Sequence, residues 1–223
     1  MQLARRVALG ALAALLAGLA LTGCRSEPSV AVYVGNVRYT HADIDRIVNP
    51  AAERKGPAVP VSPQWVVRLV VTRDLAKQLV AEKNLEVEPV DLSRALNMAS
   101  DDEYARLWNE VLALELALWG SVTPVSATDE DLARVYRAIV QAGLLDPDLP
   151  ASVVRQQLGG PELAAWLGVR TLIADAVASH HVTVNPRFAP LAMPLLLRGS
   201  GGQPYQIALP FPLDTTTGVR DSG

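Results

Sequence analysis

The feature that most constrains this chain is its punctuation. Helix-opening residues and helix-breaking residues follow one another from about position 40 to position 180. Thr40 stands three residues before Asp43, a capping-box-like start. Ser62-Pro63 sets an N-cap serine ahead of a proline at the first helical position. Asp101, Asp102 and Glu103 place negative charge where a helix dipole favours it. Thr128 precedes Asp129-Glu130-Asp131, and Pro161 opens another run. Asn49-Pro50, Gly56-Pro57, Thr123-Pro124, Gly143 to Pro150 and Gly159-Gly160 interrupt. The expected helices are residues 40–48, 63–84, 89–98, 101–121, 128–141, 151–158 and 161–180. A chain divided this way folds by packing helices on one another, so the fold class is mainly α.

The apolar residues decide which helices are central. Trp65, Val66, Leu69, Val70, Leu75 and Leu79 form a helical stripe. That helix would be roughly 33 Å long, about the diameter of a small domain. The stretch from Tyr104 to Trp119 has little polar surface in its second half, so it is central or covered by a partner. Trp65, Trp108, Trp119 and Trp166 all read first as core. An excess remains on the helix over 101–121, however. Leu114, Leu118, Trp119 and Trp108 are therefore the candidate apolar surface for binding a peptide.

Two short segments read as β. Val30 to Tyr39 is β-branched and aromatic, with Gly35-Asn36 as a tight turn in its middle. His181 to Asn185 reads as a single short strand. Residues 189–223 are rich in proline and glycine and show no period, so they are expected to form an irregular tail.

Composition removes several function classes. With 50% hydrophobic and 19% charged residues, the chain is not disordered. A net charge of -3 gives no electrostatic case for nucleic acid. One cysteine rules out an internal disulfide framework and a cysteine-rich zinc site. His180 and His181 are adjacent, which is not helical metal spacing. No Gly-x-Ser-x-Gly elbow, phosphate loop or dinucleotide fingerprint occurs, so no catalytic residue, metal or cofactor is assigned.

The lone cysteine carries most of the information about location. Arg5 and Arg6 precede an uncharged apolar stretch from Val7 to Leu21, which is short for a membrane span. It ends in Leu21-Thr22-Gly23-Cys24, which resembles the lipobox of bacterial lipoprotein signals. The resemblance implies cleavage after residue 23 and a diacylglycerol on the Cys24 sulfur. One acyl chain anchors only marginally, and two hold stably. Residues 1–23 are then a signal peptide and 24–29 a tether. The domain is expected on the extracytoplasmic face of a cell membrane, held by lipid. Loss of Arg5 and Arg6 leaves 18 basic against 23 acidic groups, a charge of -5.

Residues 31–45 and the ending Val184-Asn185-Pro186-Arg187-Phe188 resemble the SurA N-terminal-like domains of SurA- and PrsA-type chaperones. The likeness extends over residues 30–188. It implies a helical body closed by a small antiparallel sheet, in which strands near 31–39 pair with a final strand near 181–187. It also implies a non-catalytic, chaperone-like role in binding unfolded or exported polypeptides. The alternative is an assembly lipoprotein that docks one envelope protein. Many relatives carry a parvulin-type prolyl isomerase domain. None is found here, because Leu158-Gly-Gly-Pro-Glu-Leu163 reads better as a helix start.

Overall fold

The reciprocal cap at Thr40 sets the first turn from strand to helix. The Thr40 backbone N–H donates to Asp43 Oδ2 at 2.8 Å, and the Asp43 N–H donates to Thr40 Oγ1 at 3.2 Å. The computed structural model describes residues 27–53, 58–141, 143, 145–198 and 204–211. Over these residues β1 (Val30–Val34) and β2 (Val37–Thr40) form a hairpin that runs into α1 (His41–Glu53). Then follow α2 (Pro63–Glu82), α3 (Ser93–Leu96), α4 (Glu103–Trp119), α5 (Asp129–Gln141), α6 (Ala151–Leu158) and α7 (Pro161–Ser179). The chain closes with β3 (Thr183–Val184), a 3-10 turn at Pro186–Phe188, β4 (Ala192–Arg198) and β5 (Pro204–Pro210). The fold is mainly α with two small antiparallel sheets.

The first sheet has the order β2-β1-β3. Val32 faces Val184 and Tyr33 faces Thr183, so strands about 150 residues apart close the helical body. This is the pairing of N-terminal hairpin and C-terminal strand that the sequence resemblance implied. Gly35 turns the hairpin at φ 57°, a conformation that costs glycine little.

The helices follow their start signals. Ser62 caps α2 by accepting from the Trp65 N–H, and Asp102 caps α4 by accepting from the Tyr104 and Ala105 N–H groups. Thr128 and Asp131 repeat the reciprocal cap of Thr40 and Asp43, at 3.1 and 3.2 Å. Asp131 also accepts from Arg170 on α7 at 2.7 Å, with both side chains buried. α2 packs mainly on α4, and β1, α1, α7 and β4 surround α2. Val66, Leu69, Leu75, Tyr104, Trp108, Val111, Leu118, Leu167 and Ile173 fill the resulting core. Gly168 on α7 sits where an added Cβ would lie 2.7 Å from the Thr123 carbonyl. The loop after α4 therefore rests directly on α7, and the Val125 N–H reaches the Ala164 carbonyl at 2.8 Å.

Three expectations need correction. The break expected at Asn49-Pro50 does not end α1, which continues to Glu53 with Pro50 inside it. Proline there removes one backbone hydrogen bond, but Ile47, Val48 and Ala51 are buried around it and hold the helix. The helix expected over 89–98 shrinks to the single turn α3. Asp91 takes up the Ser93 N–H and hydroxyl, Asn109 takes up the Leu92 N–H, and Asn97 ends the turn at φ 54°.

The tail also differs from expectation. Within residues 189–223, expected to be irregular, β4 and β5 pair along their length, from Ala192↔Pro210 to Arg198↔Pro204. Met193, Leu195, Ile207 and Leu209 lie on one face and are buried, and Ala192, Pro194 and Pro204 on the other are buried too. A strand buried on both faces shows no alternation. Each strand of a two-stranded ribbon is an edge strand, where proline is tolerated.

Candidate binding cleft

The apolar surface expected on α4 is interior. Trp108 and Leu118 are fully buried and Leu114 is 5% exposed. Trp119 is half-buried, with its ring 4.5 Å edge-on from Trp166. α2, α1 and α7 flank α4. The unexpected β4–β5 hairpin also covers it. Gln206 on β5 satisfies three groups when its amide oxygen accepts from Tyr104 Oη at 2.7 Å and Trp108 Nε1 at 3.1 Å. Its amide nitrogen then donates to the Pro60 carbonyl at 2.9 Å. Leu114, Leu118, Trp119 and Trp108 therefore do not form an open surface. Leu116, on the outer side of α4, stays 46% exposed. Cys24 lies outside the described residues.

An open cleft lies near the start of β1, where the starts of α1 and α2 meet the Pro186–Phe188 turn. It holds about 610 Å³ and is lined by His41, Ile44, Asp45, Ser62, Pro63, Gln64, Arg187 and Phe188. Three separated segments build it. The Thr40 cap delivers His41, Ile44 and Asp45 at the start of α1. The Ser62 cap delivers Pro63 and Gln64 at the start of α2. The third wall comes from Asn185, whose N–H donates to the Ala31 carbonyl at 2.9 Å, tying the 3-10 turn to β1. Asn185 Oδ1 accepts from the Arg187 N–H at 3.1 Å, a cap that aims Arg187 and Phe188. The His41 and Phe188 rings meet at 5.4 Å, tilted by 43°.

This arrangement offers an apolar floor, Ile44 and Phe188, between an exposed carboxylate, Asp45, and an exposed guanidinium, Arg187. Among the described residues no carboxylate pairs with Arg187. Such a cleft suits a segment of mixed polarity, held by apolar contact and oriented by the two charges. The sequence reading placed no site here, although Asn185-Pro186 follows the same cap-then-proline grammar as Ser62-Pro63.

Beside the cleft, β2 is the outer strand of its sheet, with Val37 47% exposed. Behind it runs a polar network. The Tyr39 hydroxyl donates to Asp74 at 2.5 Å and accepts from Arg73, which pairs with Asp74 at 2.8 Å; Lys77 holds Glu110 at 2.5 Å. Burial first, then the Asp74 carboxylate, raises the Tyr39 phenol above its usual range. Burial opposes the charge on Arg73, but Asp74 and Tyr39 outweigh it and hold the guanidinium charged. The network fixes β2 to α2 and leaves no activated nucleophile.

One acid is out of place. Glu115 on α4 is fully buried, and neither carboxylate oxygen has a hydrogen-bond partner. Burial raises its pKa well above 4.5, so the side chain is carried as the neutral acid. It does not line the cleft. Among the described residues, no group of three or more His, Cys, Asp or Glu side chains is placed to hold a metal, and no helix is long and apolar enough to cross a membrane. Comparison with family models, with curated proteins and with solved structures found no match to this chain.

Proposed function

We propose that this protein is a lipid-anchored, extracytoplasmic binding module that holds unfolded or exported polypeptides without catalysis. It resembles the SurA N-terminal-like domains in sequence, and Cys24 carries its lipid. The observation that carries the reading is the cleft between α1, α2 and the Pro186–Phe188 turn. Its apolar floor and opposed charges suit side chains of a passing segment, and the open outer edge of β2 suits extended backbone. A site of this kind discriminates weakly, which is what a client-tolerant binder requires.

The second reading is a lipoprotein that docks one envelope protein. It uses the same cleft, and the exposed Leu116 and Val125 give it a further apolar contact. A photo-crosslinking residue in place of Gln64, in cells, separates the two. Many products of varied mass support the polypeptide-binding reading. One stoichiometric product supports the docking reading, and the absence of any product contradicts both.

A further inference from the structure

The lipid attachment proposed above has a geometric consequence at the start of β1. Glu27, three positions after Cys24 in sequence, is already tied into the fold. The Val30 N–H donates to the Glu27 carbonyl at 2.9 Å, and the His41 N–H donates to the Ser29 carbonyl at 2.8 Å. The Glu27 carboxylate meets Arg38 at 2.9 Å. Glu27 is thereby held on the hairpin and on the first residue of α1. Three residue steps separate it from Cys24, a reach of about 10 Å even when fully extended. The thioether carried by Cys24 sits at the glycerol level, beneath a headgroup layer on the order of 5–8 Å thick in each leaflet. Subtracting one from the other leaves clearance of a few ångströms. A folded domain on so short a leash cannot stand away from the bilayer or turn its far side toward it.

We infer that the end of the domain formed by Glu27–Ser29, β2, the start of α1 and the Pro186–Phe188 turn rests on the phospholipid headgroups. The surface chemistry suits that partner. His41 and the exposed Arg187 present donors without a carboxylate partner among the described residues, and Arg38 lies beside the tether. Arg38 is paired with Glu27 and the exposed Asp45 shares the cleft, so Arg187 and His41 are the groups that meet lipid phosphates. The cleft belongs to this same end, because His41 and Arg187 both line it. A client that enters the cleft therefore does so at the membrane surface. The inference rests on Cys24 being lipidated.

The test uses the mature lipidated protein in vesicles of phosphatidylethanolamine and phosphatidylglycerol that carry a nitroxide on the headgroup. A fluorophore is attached at Ala42→Cys, an exposed position on the first turn of α1, or at Ala133→Cys on α5. α5 packs against α6 and β5 rather than against the β1–β2 hairpin. The Cys24 sulfur is consumed by its thioether and takes no label. Quenching several-fold stronger at position 42 than at 133 is expected. Equal quenching on vesicle-bound protein overturns the inference and leaves the anchor standing. Protein that carries no lipid and stays off the vesicles overturns the anchor, and the inference with it.

Discussion

Glu115 sets the pH response of the folded state. In the unfolded chain its carboxyl ionises near 4.5, whereas burial keeps it protonated in the native protein. Below that pH both states hold the proton, so the native state carries no penalty from this group. Above it the unfolded state releases the proton and the native state does not, and stability falls as pH rises until the native carboxyl also ionises. Urea midpoints for wild type should therefore decline above pH 4.5 more steeply than those of Glu115→Gln. Parallel profiles would contradict the assignment. Arg170 and Asp131 behave differently, because this buried pair is closed at 2.7 Å. Hydrogen bonds from Arg170 and Thr128 overcome burial and hold the Asp131 carboxyl below its usual range. Arg170→Met strands a buried carboxylate and should cost about 3–5 kcal/mol. Loss of the exposed Arg134–Glu130 pair should cost about 0–1 kcal/mol. Denaturant titration of the two variants checks that ordering. Neither group was legible as special from sequence. Glu115 looks like one more polar residue on an apolar helix until packing closes around it.

At the scale of elements, the boundaries show which signals survive tertiary packing. The Thr40, Ser62 and Thr128 caps all appear where the sequence puts them, because a cap is satisfied within four residues; Asp102, expected only as charge favoured by the helix dipole, is the cap of α4. The proline break at Pro50 fails, because burial of Ile47, Val48 and Ala51 outweighs one lost hydrogen bond. The β4–β5 hairpin was illegible because Ala192 to Leu195 are buried on both faces of β4 and the second face of β5 carries the apolar Ala208 and Pro210. No alternation marks it, and its prolines read as breakers. Its Gln206 joins it to α4. Gln206→Ala leaves the Trp108 indole N–H unpaired, while the Tyr104 hydroxyl at 3.3 Å still serves the Pro60 carbonyl, and should cost about 1–3 kcal/mol, measured by thermal unfolding. Gly168→Ala drives a Cβ into the Thr123 carbonyl across the α4–α5 loop, and overpacking of that kind costs about 1–3 kcal/mol. An unchanged melting temperature in either variant would remove the contact from the account.

At the scale of the whole molecule, the sequence revealed a helical body and the residue types that start each helix. The resemblance supplied the closure of β1 on β3. The cleft was not legible, because its walls come from residues 41–45, 62–64 and 187–188. Only the folded sheet, through Asn185 and Ala31, brings the last of these to the first two. The same assembly explains why the expected apolar surface on α4 is interior: the hairpin and α7 cover what the helix alone leaves open. Binding of a polypeptide at the cleft is therefore the claim on which the functional account stands. The most direct measurement is the affinity of the purified domain for a permanently unfolded, fluorescently labelled polypeptide, compared with a His41→Ala, Arg187→Ala double variant. Both substitutions remove side chains that line the cleft while sparing its buried floor. Wild type should bind saturably, and the variant several-fold more weakly at unchanged melting temperature. No binding by wild type, or equal binding by the two proteins, would contradict that claim.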